Sequence, residues 1–171
     1  AKMADFLPAY ESMIRNEGGY KLTNIKGDLG GQTYAGIARN AWPSWSGWRD
    51  IDHNEIPDTE LVRSFYRLNF WDRVRGDDIE HQAIARSLFD FAVNAGPATA
   101  IKLAQVVVGA TPDGALGPKT LAALNESDPV QFVTAYALAK IARYRDIVLR
   151  NRSQERFLLG WINRTLREAQ V

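Results

Sequence analysis

The sequence predicts a mainly α fold with one small irregular β element near its front, and three observations carry that prediction. Apolar residues recur at helical spacing over most of the chain, the one long stretch lacking that period is rich in glycine, and proline and glycine fall where helices should start and stop. The first helix takes Asp5 as its N-cap and tolerates Pro8 in the first turn. Phe6, Tyr10, Met13 and Glu17 then lie within an arc of about 60°, on a single stripe. Gly18 and Gly19 supply a left-handed stop. From 20 to 48 the period disappears, and glycines at 27, 30, 31 and 36 separate short β-prone pieces, which reads as turns around a small sheet. AWPSWSGW follows, with Trp42, Trp45 and Trp48 close together. Helical patterning resumes near Asp58, which puts Leu61, Val62, Phe65 and Tyr66 on one side. Further helices are expected over 79–95 (stopped by Gly96-Pro97), through ATAIKLAQVVVG, from Pro118 onward, over 129–151 and over 153–168.

Composition narrows the function classes. With 171 residues, 46% hydrophobic and 24% charged, the chain has the make-up of an ordinary soluble domain with one good core. No apolar run is long enough to span a membrane, and AKMADFLPAY lacks a basic segment followed by an apolar one, so no secretory signal is expected. Zero cysteines exclude disulfides and thiolate chemistry, and the two histidines, His53 and His81, stand alone in the sequence. No metal and no cofactor are expected. The basic residues gather late: 136–171 carries eight Lys/Arg against three Asp/Glu, whereas 1–135 carries thirteen against seventeen. Such a segment could meet an anionic polymer, but it is also what a solvated arginine-rich helix face looks like, and no nucleic-acid motif accompanies it. A nucleic-acid partner is therefore not expected.

The candidate chemistry centres on Glu17. Its helical phase sets it beside Phe6, Tyr10 and Met13, where partial burial favours the neutral carboxyl. The helix C-terminus adds partial negative charge that acts in the same direction, and the two following glycines leave room for a substrate. Asp28 lies in a polar glycine-rich turn, where a carboxylate stays ionised, and the Thr33 hydroxyl could hold a water. Two carboxyls in contrasting environments suit glycoside hydrolysis, where one protonates the leaving oxygen and the other handles water or the sugar cation. A glutamate that merely ends a helix and an aspartate that merely makes a turn remain the plain alternatives.

These residues also carry a resemblance. Glu17-Gly18-Gly19-Tyr20, Asp28-Leu29-Gly30-Gly31-Gln32-Thr33 and Gly36-Ile37 resemble the motifs of the glycosyl hydrolase 108 family of N-acetylmuramidases. Phe70-Trp71-Asp72 and Asp90-Phe91-Ala92-Val93-Asn94-Ala95-Gly96 resemble two more of its motifs. Asp113-Gly114-Ala115-Leu116-Gly117-Pro118-Lys119-Thr120 is similar to the signature of its C-terminal peptidoglycan-binding region. Leu29 and Tyr34-Ala35 depart from the family, which commonly has a proline and an Asn-Tyr pair there.

The resemblance implies a lysozyme-superfamily helical fold with a small β-hairpin near the active site. It implies a catalytic lobe over 1–96, with a peptidoglycan-binding-like region over 97–171 packed on it as one compact unit. The implied activity is cleavage of the β-1,4 bond between N-acetylmuramic acid and N-acetylglucosamine, with Glu17 as general acid and Asp28 and Thr33 in comparable supporting places. Tyr20, Gln32, Tyr34, Trp42 and Asn94 are the candidate substrate-binding residues, although tryptophans equally fill cores. Asp90 and Asn94, four residues apart in an apolar helix, are expected to satisfy buried backbone groups. The partner is the glycan strand of peptidoglycan. The protein would be made in the bacterial cytoplasm and reach the periplasm or cell wall through a holin, a secretion route or lysis. A lytic transglycosylase and a non-catalytic wall-binding module are the competing readings.

Overall fold

The computed structural model describes residues 2–24 and 31–170. Two compact units emerge: Tyr10–Asn69 form one, and the segment up to Ala9 together with the chain from Phe70 onward forms the other. The front helix, α1 (Phe6–Asn16), begins just after Asp5 and ends as its glycines dictate. Gly18 N–H donates to Arg15 O at 3.1 Å and Gly19 N–H to Ile14 O at 2.9 Å, with Gly18 at φ +90°. This is the Schellman pattern, and it leaves Glu17 as the C-cap residue.

The unit of Tyr10–Asn69 carries the predicted sheet. Strands β1 (Leu22–Thr23), β2 (Thr33–Tyr34) and β3 (Ile37–Ala38) are antiparallel in the order β1-β2-β3. Leu22 faces Tyr34, and Thr33 faces both Thr23 and Ala38. Ala35 and Gly36, at φ +50° and +82°, make the two-residue turn between β2 and β3. Positive φ at both central positions is what matches a tight turn to the twist of its strands. The tryptophan segment leads into a short helix, α2 (Gly47–Asp52), that the sequence reading did not contain. Helix α3 (Thr59–Tyr66) starts where Asp58 accepts the Glu60 N–H at 2.9 Å, and a π-helical turn, Arg67–Trp71, continues it.

The other unit is a helical assembly: α4 (Gln82–Ala95), α5 (Pro97–Val108), α6 (Pro118–Glu126), α7 (Pro129–Arg150) and α8 (Leu158–Glu168). Prolines at the start of α5, α6 and α7 sit where a missing N–H is harmless. Helix α4 packs against α5 and α7, and α7 against α8. Two expected boundaries differ. The helix expected from 79 starts at Gln82, because Ile79 is extended and its carbonyl accepts the Ala4 N–H at 2.8 Å. The Glu80 N–H is likewise taken, by Asn125 Oδ1 at 3.0 Å. The helix expected over 153–168 is a 3-10 turn, Arg152–Phe157, followed by α8. Asn151 Oδ1 accepts the Ser153 N–H and so tightens the chain there.

Aromatic edges fill the core of this unit: Phe6, Trp71 and Phe89 meet one another in T-shaped pairs with centroids 5.6–5.8 Å apart. Trp71, part of the Phe70-Trp71-Asp72 motif, is fully buried and its indole N–H donates to Asp77 at 2.8 Å. No helix is long and apolar enough to cross a membrane among the described residues.

Charge is buried here as well. Arg164 of α8 grips Asp90 of α4 with two hydrogen bonds, at 2.9 and 3.0 Å. Lys140 of α7, 3% exposed, sits over the rings of Tyr136 (4.6 Å) and Phe91 (5.2 Å). Burial lowers its pKa to about 8, against the pull of Asp90 and Glu168, while Arg164 and Arg86 push the same way as burial. An unfolded lysine keeps its proton up to about 10.4, so the unfolded state binds more protons between these values and stability rises with pH there. Wild type should gain about 2 kcal/mol between pH 8 and pH 10 relative to Lys140→Met, read by urea unfolding at both pH values. Parallel pH curves for the two proteins would refute this.

Candidate active site

Glu17 is half-buried at the end of α1, and its neighbourhood is made by chain far away in sequence. A Cβ placed on Gly36 would stand 3.0 Å from both Cβ and Cγ of Glu17 and 2.6 Å from the Tyr66 hydroxyl. The hairpin turn therefore presses its bare backbone against the stem of Glu17, and only glycine allows that approach. Tyr66, buried on α3, donates its hydroxyl to Ala35 O at 2.6 Å. Its ring packs tilted against Tyr10 of α1, with centroids 6.1 Å apart.

Tyr20 completes this group. It is 44% exposed, yet its hydroxyl is bound to the Tyr10 hydroxyl at 2.7 Å. Burial drives the Tyr10 phenol far above the ordinary tyrosine range, and the bond to Tyr20 adds to the effect. The Tyr10 phenol thus keeps its proton, and its hydrogen bond to Tyr20, at any physiological pH. Tyr34 is 5% exposed, stacks on Trp45 with centroids 6.2 Å apart, and is raised by burial and then by Tyr20.

The predicted residues separate by role. Tyr20 and Trp42 present open ring surface; Trp42 is 36% exposed and packs edge-on to Phe65 at 4.9 Å. Trp48 is 2% exposed and donates its indole N–H to the Trp42 carbonyl at 2.8 Å, which holds the tryptophan segment closed. Gln32 is buried and its side-chain oxygen accepts from Arg39 at 2.6 Å. Arg39 in turn makes a two-pronged pair with Asp52, 2.8 Å on each side, and lies over the Trp48 ring. Those hydrogen bonds hold the Asp52 carboxyl below the usual carboxylate range. Gln32 thereby ties β2 to α2. Thr33, half-buried, alternates with Tyr34 and so faces the other side of the sheet. Asp28, Gly27, Leu29 and Gly30 lie outside the described residues.

Asp90 and Asn94 were expected to satisfy backbone groups; the structure gives each of them a bond to a distant side chain. Asp90 binds Arg164, and Asn94 donates to the Tyr144 hydroxyl at 2.9 Å. Both partners are bulky residues on α7 and α8 that no local spacing could reveal. The loop of Asp113 to Thr120 is organised by Gln105 of α5, whose buried amide donates to Asp113, Ala115 O and Thr120 and accepts from Gly114 N–H. A cleft of about 760 Å³ opens beside this loop, lined by residues that include Thr111, Asp113, Pro118 and Lys119. Among the described residues no group of His, Cys, Asp or Glu is arranged to hold a metal ion. Local patterning gave Tyr66 only as part of an apolar helix face and Gly36 only as a break and a motif residue, and missed that they meet at Glu17; the glycine at the tip of a two-residue turn was the available signal.

A helical scaffold with a small hairpin set against a helix-capping glutamate is the frame in which the similarities to known proteins are read. The family model for Glycosyl hydrolase 108 matches residues 10–96, and that for a Predicted Peptidoglycan domain matches residues 99–166. The solved structure of Brucella abortus SagA superimposes with a TM-score of 0.73 at 28% identity, covering 96% of this chain and 91% of that one. No curated protein sequence matches. The fold is mainly α and lysozyme-like, and the protein is a glycoside hydrolase of the kind that acts on peptidoglycan. The chain belongs to the glycosyl hydrolase 108 family.

Proposed function

We propose that the protein is an N-acetylmuramidase in which Glu17 is the general acid. The observation that carries this reading is the setting of Glu17: a half-buried carboxyl that caps a helix and abuts a turn kept free of side chain at Gly36. Glu17 gives its proton to the O4 oxygen of N-acetylglucosamine as the bond to C1 of N-acetylmuramic acid breaks. Asp28 supplies the ionised carboxylate that answers the positive charge at C1, and Thr33 holds the water whose oxygen ends on C1. One proton from that water restores Glu17, so atoms and charge balance. Tyr20 and Trp42 offer ring surface to the sugars, while Gln32 and Tyr34 keep the hairpin in place beneath them; Asn94 serves α7 through Tyr144.

In this reading residues 1–96 do the chemistry and 97–171 hold the wall, with the cleft beside Asp113 and Lys119 as the natural place for attachment. The same role puts the protein's action at the cell wall, reached through a holin, a secretion route or lysis.

Digestion of purified peptidoglycan, with products weighed by mass spectrometry, tests the reading. Hydrolysis leaves reducing muramic acid ends. Products lighter by one water would assign an anhydro-forming transglycosylase instead, and wall binding without any soluble product would leave a binding module.

A further inference from the structure

We infer that Tyr66 is a positioning residue for the Glu17 carboxyl, acting through the Ala35-Gly36 turn; the inference rests on the reading of Glu17 as the acid. The turn is held between two groups. On one side the Tyr66 hydroxyl donates to the buried Ala35 carbonyl at 2.6 Å. On the other, the Cβ and Cγ of Glu17 lie 3.0 Å from the point where a Gly36 side chain would begin. The same point is 2.6 Å from the phenol oxygen, so turn, phenol and glutamate stem meet around one vacant Cβ position.

This geometry has a mechanical consequence. Glu17 is the C-cap residue of α1 and is followed by Gly18 and Gly19, which have no side chains to flank it. The turn flanks it from the other side, because it blocks one direction in which the glutamate stem could swing. Its own position depends on Tyr66, the buried side chain seen to anchor Ala35 from α3. The Tyr66 ring is independently fixed, tilted against Tyr10 (6.1 Å) and edge-on to Phe65 (5.1 Å). Tyr10 also carries the hydroxyl that orients Tyr20. One packed column of phenols thus sets both the acid and the exposed ring beside it.

The test is Tyr66→Phe, which keeps the ring and its packing and removes only the hydroxyl. Small displacements of a reacting group cost up to about 100-fold in rate, so kcat should fall on the order of 10- to 100-fold. KM should stay within about two-fold, because Tyr66 is buried and touches no sugar. Thermal unfolding of the variant, measured alongside, establishes that the assay reads folded protein. Gly36→Ala, which intrudes on the same vacant position, should give the same split of kcat from KM. In the Glu17→Gln background the loss from Tyr66→Phe should vanish, since a positioning residue has no effect once the group it positions cannot donate a proton.

Wild-type kcat in folded Tyr66→Phe would overturn the inference. So would a kcat loss of the same factor in the Glu17→Gln background. Full activity of Glu17→Gln itself would overturn the assignment of the acid, and this inference with it; the first two outcomes leave that assignment standing.

Discussion

Replacing Glu17 with glutamine should lower kcat on peptidoglycan by roughly 100- to 10,000-fold, the range that a positioned general acid contributes. Glutamine has almost the same shape, so it can rest against the Ala35-Gly36 turn as glutamate does, and the helix cap made by Gly18 and Gly19 is untouched. Only the transferable proton is lost. The variant should therefore unfold at the wild-type temperature and still sediment with insoluble peptidoglycan, since residues 99–166, which match the peptidoglycan domain, are unaltered. Rate loss with wall binding retained is the pattern that separates a catalytic glutamate from a structural one. Loss of both together would mean that Glu17 supports the fold.

Asp90→Ala should be among the most destabilising single changes in the chain. The Asp90 carboxylate is almost wholly buried and takes two hydrogen bonds from Arg164, whose side chain is only 12% exposed. Removing the acid takes two hydrogen bonds and the counter-charge from a buried guanidinium, and breaking a buried pair in this way costs about 3–5 kcal/mol. Lys140 loses a favourable neighbour at the same time. For a domain of this size each kcal/mol moves the midpoint by about 2–4 °C, so Tm should fall by roughly 6–20 °C. Adding Arg164→Met should recover much of the loss, because the buried charge goes with it. A single-variant loss below about 1 kcal/mol in urea unfolding would show that water reaches and solvates the guanidinium.

Features decided by nearby residues were legible in the sequence. The end of α1 follows from Gly18 and Gly19, and the starts of α6 and α7 from Pro118 and Pro129, because capping and proline geometry act within a turn of chain. Helical periodicity gave the mainly α class and the family motifs its lysozyme-like form, which the matching models and the SagA structure bear out. The boundaries that moved were set by distant partners: Ile79 is held extended by Ala4, Glu80 by Asn125. The site shows the same division. Glu17 could be singled out from its helical phase and the glycines beside it. Tyr66 could not, since its bond to Ala35 joins residues 31 apart and its spacing in α3 is that of any core aromatic. Gln32, read as a sugar contact, accepts a bond from Arg39 that the sequence did not announce, because the pairing depends on how β2 meets the tryptophan segment.

The central claim is that Glu17 supplies the proton for hydrolysis of the muramic acid linkage. The most direct test digests one preparation of purified peptidoglycan with wild type and with folded Glu17→Gln, identifies the released fragments by mass and follows their rate of appearance. The account predicts fragments ending in reducing N-acetylmuramic acid from the wild type, and at least a 100-fold slower release from the variant. Release of the same fragments at equal rates by both proteins would contradict it.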